Sequence, residues 1–128
     1  MNVTADDTTK KENPDFEEVE YYIDQFLNAV CDTSRRHILT YLSVSSDQAS
    51  SLVERSAGEI AHHLKLAPST TSEHLKQLLQ MHLLFTRKEG KKVYYRLRNQ
   101  ELVQVFHDLI ASLERHYRRN LLPPVAGG

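Results

Sequence analysis

Apolar residues in this chain are spaced for helices over most of its length and for a pair of short strands in one place. From Asp15 onward Phe16, Val19, Ile23, Phe26 and Val30 recur every three or four residues, with Tyr22 and Leu27 widening the stripe, which predicts an amphipathic helix with a broad apolar face. Cys31-Asp32-Thr33-Ser34 then offers cap-type side chains ahead of Ile38, Leu39 and Leu42, so a second, shorter helix is expected to begin near Ser34. Residues 43–56 are small and polar and read as a long connection, with Leu52-Val53 as an apolar anchor. Ser56-Ala57-Gly58-Glu59 fits a capping box, in which the Ser hydroxyl and the Glu carboxylate satisfy free amides at a helix start. A third helix is expected over about 57–65, with Ile60, Ala61 and Leu64 inward and Leu66 closing the turn. Pro68 suits the first position of a fourth helix, where its missing N–H costs nothing. There Thr71, Leu75, Leu78, Leu79 and Leu83 form the buried stripe, opposite Ser69, Thr70, Ser72, Glu73 and Lys76.

The pattern then changes period. Leu84–Lys88 and Lys92–Arg98 are β-prone runs around Glu89-Gly90-Lys91, a natural hairpin tip. In the second run Val93, Tyr95 and Leu97 alternate with Tyr94, Arg96 and Arg98, one edge apolar and the other cationic and aromatic. Asn99 can cap a last helix in which Leu102, Phe106, Leu109 and Leu113 repeat, with Val103, Ile110 and Tyr117 beside them. That helix offers more apolar face than a small core requires. The chain thus divides into an acidic tail expected to be disordered (1–14), one domain (15–120) and a flexible C-terminal tail (121–128).

A length of 128 residues suits a single core. No apolar run approaches the roughly 20 residues that cross a bilayer, and the N-terminal residues lack a basic-then-apolar leader, so a cytoplasmic protein without membrane contact is expected. One cysteine, Cys31, can form neither an intramolecular disulfide nor a multi-thiolate zinc site. The net charge of −1 conceals an asymmetry. Residues 1–33 carry nine acidic groups against two basic ones, whereas residues 55–98 carry nine basic groups against three acidic ones and four histidines besides. A local basic segment is the footprint of a polyanion binder.

Two short helices joined by a tight turn and followed by a basic hairpin specify a helix-turn-helix with a wing, a mainly α fold with a small β-hairpin that reads double-stranded DNA. The second helix of the pair enters the major groove. Ser69, Thr70, Ser72 and Lys76 are then the candidates to reach bases, joined by Glu73 and His74 on the same helix, and Arg87, Lys88, Lys91, Lys92 and Arg96 are candidate phosphate contacts. One such unit touches few phosphates, so a twofold dimer reading two half-sites is expected. The surplus apolar positions Phe16, Val19, Ile23, Phe26, Leu102, Phe106, Leu109 and Leu113 would form its interface.

Three segments in order carry a family resemblance: Ala29-Val30-Cys31-Asp32-Thr33-Ser34-Arg35-Arg36-His37-Ile38-Leu39, Ser69–Leu78 and Glu89–Leu97. Over roughly residues 25–110 the sequence resembles the ArsR/SmtB family of winged-helix repressors. The resemblance implies a homodimeric, operator-binding transcriptional repressor released by an inducer. It also shows departures. Where the family's metal sensors place cysteines this chain has Ser56, Gly58 and Ala61, and where other members bind zinc it has Asn99, Glu101, Ser112 and Arg115. A single cysteine leaves no intrasubunit dithiol switch. No cofactor is therefore expected, and no inducer is named by the residues.

Several residues keep a second reading. His62 and His63 point about 100° apart on a helix and grip one ion poorly. His107, Asp108 and His116 lie on the expected dimer helix, where an intersubunit metal site is conceivable beside the plainer reading of a polar flank. His74 reads as a packing or phosphate-contacting residue, and Cys31 as a small core filler rather than a sensor thiol. Glu73 would either accept from a cytosine amino group or reduce nonspecific affinity. Phosphate-cradling glycine loops, nucleophile elbows and His-Glu-x-x-His motifs are absent from the sequence, which argues against an enzyme. The alternative to DNA binding is a winged-helix dimer acting as a protein-interaction module.

Overall fold

A computed structural model describes residues 15–43 and 53–123 of the chain. Its elements are α1 (Phe16–Val30), α2 (Thr33–Tyr41), β1 (Arg55–Ser56), α3 (Ala57–Leu64), α4 (Pro68–Gln80), β2 (Leu84–Glu89), β3 (Lys92–Leu97) and α5 (Gln100–Asn120). The expected tail 1–14, most of the expected connection 43–56 and the last residues of the expected C-terminal tail lie outside the described residues.

Helix starts follow the predicted chemistry. Asp32 caps α2 by accepting from the Arg35 amide at 3.0 Å, and Asn99 caps α5 by accepting from the Leu102 amide at 3.0 Å. Both halves of the capping box close at α3: the Glu59 amide donates to Ser56 Oγ (3.1 Å) and the Ser56 amide to the Glu59 carboxylate (2.8 Å). The helix ends use less obvious residues. Lys65 (φ 57°) and His82 (φ 58°) take up left-handed backbone after α3 and α4. In each case the next amide reaches back five residues, Leu66 to Ala61 and Leu83 to Leu78, which satisfies carbonyls the helix leaves free.

The core lies where α1, α2, α3, α4 and the first turns of α5 meet. Val30, Ile38, Leu39, Leu42, Ile60, Leu75, Leu78 and Leu83 are at most 1% exposed, and Leu84, Leu97, Val103 and Phe106 close the cluster. Thr71 sits among them with its hydroxyl bonded back to the Ala67 carbonyl. The alternating positions of α4 are therefore sorted as the sequence predicts.

Two boundaries differ from expectation. The sheet has three strands in the order β1-β3-β2, not two, because Arg55 and Ser56 pair antiparallel with Tyr95 and Tyr94. A two-residue strand has no periodicity of its own, and its partner lies some forty residues away. The hairpin tip is also shorter: Glu89 pairs with Lys92, leaving Gly90-Lys91 as the turn. Gly90, at φ 62°, supplies the positive φ that the first position of a II′ turn demands.

Candidate nucleic-acid interface

Helices α3 and α4, joined at Lys65-Leu66-Ala67, form the helix-turn-helix, and β2–β3 form the wing. Burial of Thr71, Leu75 and Leu78 turns Ser69, Thr70, Ser72, Glu73 and Lys76 to solvent on the opposite side of α4. Short hydroxyl side chains leave that surface low enough for base edges to approach. Glu73 is engaged along the helix by Gln77. Between the first turns of α3 and the wing lies a groove of about 700 Å³, lined by Gly58, Glu59, His62, Lys91, Lys92 and Tyr95 and reached from α4 by Ser72.

Strand register sorts the wing's candidate cations. Phe85 faces Arg96, Arg87 faces Tyr94 and Glu89 faces Lys92, so these six share one sheet face, while Lys88 opposes Val93 on the other. The guanidinium carbons of Arg96 and Arg98 lie 4.4 and 5.0 Å from the Phe85 ring centre, and that of Arg87 lies 4.8 Å from the Tyr94 ring centre. Arg87 is held further. Its Nε and Nη2 donate to the Glu54 carboxylate at 3.0–3.2 Å, and its Nη1 donates to Glu89 at 3.0 Å. Those bonds draw Glu54 below the usual carboxylate value and raise Arg87 further above neutrality. Lys88, Lys91 and Lys92 are exposed and form no ion pair among the described residues.

His74 departs from the other candidates on α4. Its side chain is only 15% exposed and its Nδ1 lies 3.3 Å from Arg35 Nη1 and 3.9 Å from an Asp32 oxygen. Asp32 is itself held below its ordinary value, chiefly by the Arg35 amide it accepts from. The structure thus gives His74 a packing place between helices, one of the two roles open to it from sequence. Glu54 and Arg35 are the residues that sequence reasoning did not single out. Glu54 carries no local signal, since its partner is 33 residues away.

The candidate ligands on α5 are not gathered within one subunit. The His107 ring contacts the Thr40 hydroxyl at 3.3 Å and is pushed down by burial, with Asp108 opposing. Asp108 accepts from Gln104, and the His116 ring contacts Asn120. Among the described residues no three His, Cys, Asp or Glu side chains cluster as a metal site. On α3 the His63 ring stacks on Tyr41 at 3.8 Å.

The expected dimer positions divide. Phe16, Val19, Ile23, Leu109 and Leu113 are exposed, as are Tyr22, Leu27 and Tyr117. Phe26 and Leu102 pack partly against the core, and Phe106, 8% exposed, belongs to the subunit's own core. Phe106 is thereby removed from the free face, because it is turned toward the α2–α4 cluster together with Val103.

Four helices, the last two of them a helix-turn-helix, a winged sheet and a long closing helix define a winged helix-turn-helix protein. Comparison with known proteins narrows the class. Residues 32–84 match the model of the bacterial regulatory proteins of the arsR family. Over 83 residues the chain is 31% identical to the arsenical resistance operon repressor of Staphylococcus aureus, an alignment that takes in 65% of this chain and 72% of that one. It belongs to the ArsR family of transcriptional regulators. Among solved structures, HlyU from Vibrio cholerae superimposes with a TM-score of 0.59 at 30% identity, covering 73% of this chain and 97% of that one. The homodimeric winged helix-turn-helix DNA-binding domain of a possible ArsR-family regulator from Mycobacterium bovis shares the fold, with a TM-score of 0.68 at 20% identity over 88% of this chain and 96% of that one. The alignments with curated relatives span 24% to 72% of those proteins' lengths. No helix among the described residues is long and apolar enough to cross a membrane.

Proposed function

We propose that this chain is a cytoplasmic, homodimeric repressor that binds an operator in double-stranded DNA through α4 and the wing. The carrying observation is the outward face of α4, where Ser69, Thr70, Ser72 and Lys76 stand exposed, with Ser72 lining a groove that Lys91 and Lys92 of the wing also line. Hydroxyl groups and Lys76 would read base edges, while the unpaired wing lysines neutralise phosphates. Residues 15–120 act as one domain, in which α1 and the outer face of α5 supply the dimer contact. The relatives' activity as regulators supports this reading.

The test is a titration of the purified protein against labelled duplex from upstream of its own gene and against a scrambled duplex. Preference for the upstream duplex, falling steeply with salt, is the expected result. A stable monomer that ignores both duplexes at low salt would refute it. Repeating the titration with zinc, nickel, a chelator and a thiol oxidant identifies the class of inducer, because any one that releases the duplex is acting on the protein.

A further inference from the structure

The last turn of α1 contains no basic residue of its own, and its C-terminal carbonyls carry partial negative charge that a helix cannot satisfy internally. Arg35, from the first turn of α2, fills that role: its Nε donates to the Ala29 carbonyl and its Nη2 to the Asn28 carbonyl at 3.3 Å. The remaining arm, Nη1, points to His74 Nδ1 on α4 at 3.3 Å. One guanidinium therefore joins the end of the exposed-face helix α1 to the middle of the helix that carries the base-reading candidates. His74 lies one turn beyond Thr70.

We infer that Arg35 and His74 are a positioning pair that fixes the angle of α4 against α1, so that the placement of the base-reading face depends on this bridge. The chemistry dictates the state of the ring. A guanidinium has donors and no acceptor, so His74 Nδ1 must accept, and the ring must be neutral with its proton on Nε2. Asp32 holds the amide of Arg35 and keeps the arginine's backbone in register at the start of α2. Neither Arg35 nor His74 needs to touch DNA for the pair to affect binding. The planar fork makes Lys a poor substitute at position 35, because one ammonium cannot reach two carbonyls and a ring nitrogen in these directions.

The DNA part of the test rests on the operator-binding reading, and the ring part does not. Nitrogen NMR of the free protein should show His74 Nδ1 unprotonated and Nε2 protonated, with the preference lost in Arg35→Ala. A proton on Nδ1 in the wild-type protein overturns the inference whatever the protein does with DNA. On the upstream duplex, His74→Leu fills the space without an acceptor and should bind about tenfold to a hundredfold more weakly, the scale of one lost hydrogen bond to a charged group. Its salt slope should equal that of wild type, since no phosphate contact is removed. His74→Asn places an oxygen near the Nδ1 position and should recover most of the affinity. The double variant Arg35→Ala/His74→Leu should bind no more weakly than Arg35→Ala alone, because both changes break the same link. A salt slope reduced in His74→Leu would make the histidine a phosphate contact. Failure of His74→Leu to fold, or equal loss in His74→Leu and His74→Asn, would reduce it to core packing, and each of these overturns the inference.

Discussion

Five cations of the wing are equivalent by sequence and unequal in the structure, and replacing three of them in two sets exposes the difference. Lys91 and Lys92 are exposed without an ion-pair partner among the described residues, so in a complex each is free to displace one condensed counterion. Each phosphate contact contributes about 0.9 to the slope of log affinity against log salt, so Lys91→Ala/Lys92→Ala should lower that slope by up to about 1.8. Between about 50 and 200 mM salt, a fourfold range, that change shrinks the affinity ratio of wild type to variant by roughly 12-fold. Arg87 is different. Its guanidinium already faces two carboxylates, Glu54 and Glu89, so removing it takes no free cation from the interface. Arg87→Ala should leave the slope within about 0.3 of wild type, while affinity falls modestly because two carboxylates lose their partner. Fluorescence anisotropy at five salt concentrations, with circular dichroism to verify folding, measures both. A slope unchanged in the lysine variant removes the wing tip from the phosphates. A slope reduced equally by Arg87→Ala shows that the Glu54 pair opens on binding, which would refute the distinction.

Four further variants test the fold and the dimer. Ser56→Ala breaks the capping box and should cost about 1 kcal/mol in a urea melt at neutral pH. The backbone amide at position 56 holds Glu59 below its ordinary 4.5, so that half of the box is present above that value and is lost as pH falls through the folded pKa in wild type and variant alike; the gap between them, which is the Oγ bond, should therefore persist in acid. His82→Gly relieves left-handed backbone at φ 58° and should raise stability by roughly 0.5 kcal/mol, after the freedom Gly adds to the unfolded chain is subtracted; a lower melting temperature would show that the His82 side chain matters. Leu109→Glu/Leu113→Glu changes residues that are 50% and 54% exposed and should yield a folded monomer by sedimentation, whereas Phe106→Ala should lower unfolding free energy by about 3–5 kcal/mol.

What could be read in the sequence was what is local. Helix starts at Asp32, Ser56, Pro68 and Asn99 are written within four residues, and the apolar stripes of α2, α4 and early α5 identify the core because helical period alone sorts their faces. What escaped was pairing over distance. Arg55-Ser56 becomes a strand only because Tyr94-Tyr95 offers it an edge, and Arg87 loses its availability only because Glu54 folds against it. The same holds for α5: spacing marked Phe106 and Leu109 as one stripe, yet three residues of helix turn the first into the core and the second outward. Composition could locate the cations on the wing, and only their folded ion-pair partners could say which were already engaged.

The shape of α5 supports the second copy proposed for the DNA-binding form. The helix has 21 residues, about 32 Å at 1.5 Å per residue, but its buried residues are Val103 and Phe106, with Leu102 and Ile110 at the core's edge. Beyond Ala111 the rest of the helix is exposed among the described residues, and an isolated helix of some 10 residues is marginal in water. Leu113, Tyr117 and Leu121 nonetheless continue the apolar stripe there, and α1 presents a matching row in Phe16, Val19, Ile23 and Leu27. Their charges complement as well, since α1 carries Glu17, Glu18, Glu20 and Asp24 while the end of α5 carries Arg115, Arg118 and Arg119. A twofold arrangement that sets these faces together would cover both helices, and through the Arg35 contacts with Ala29 and His74 it would adjoin each covered α1 to the α4 of its own subunit.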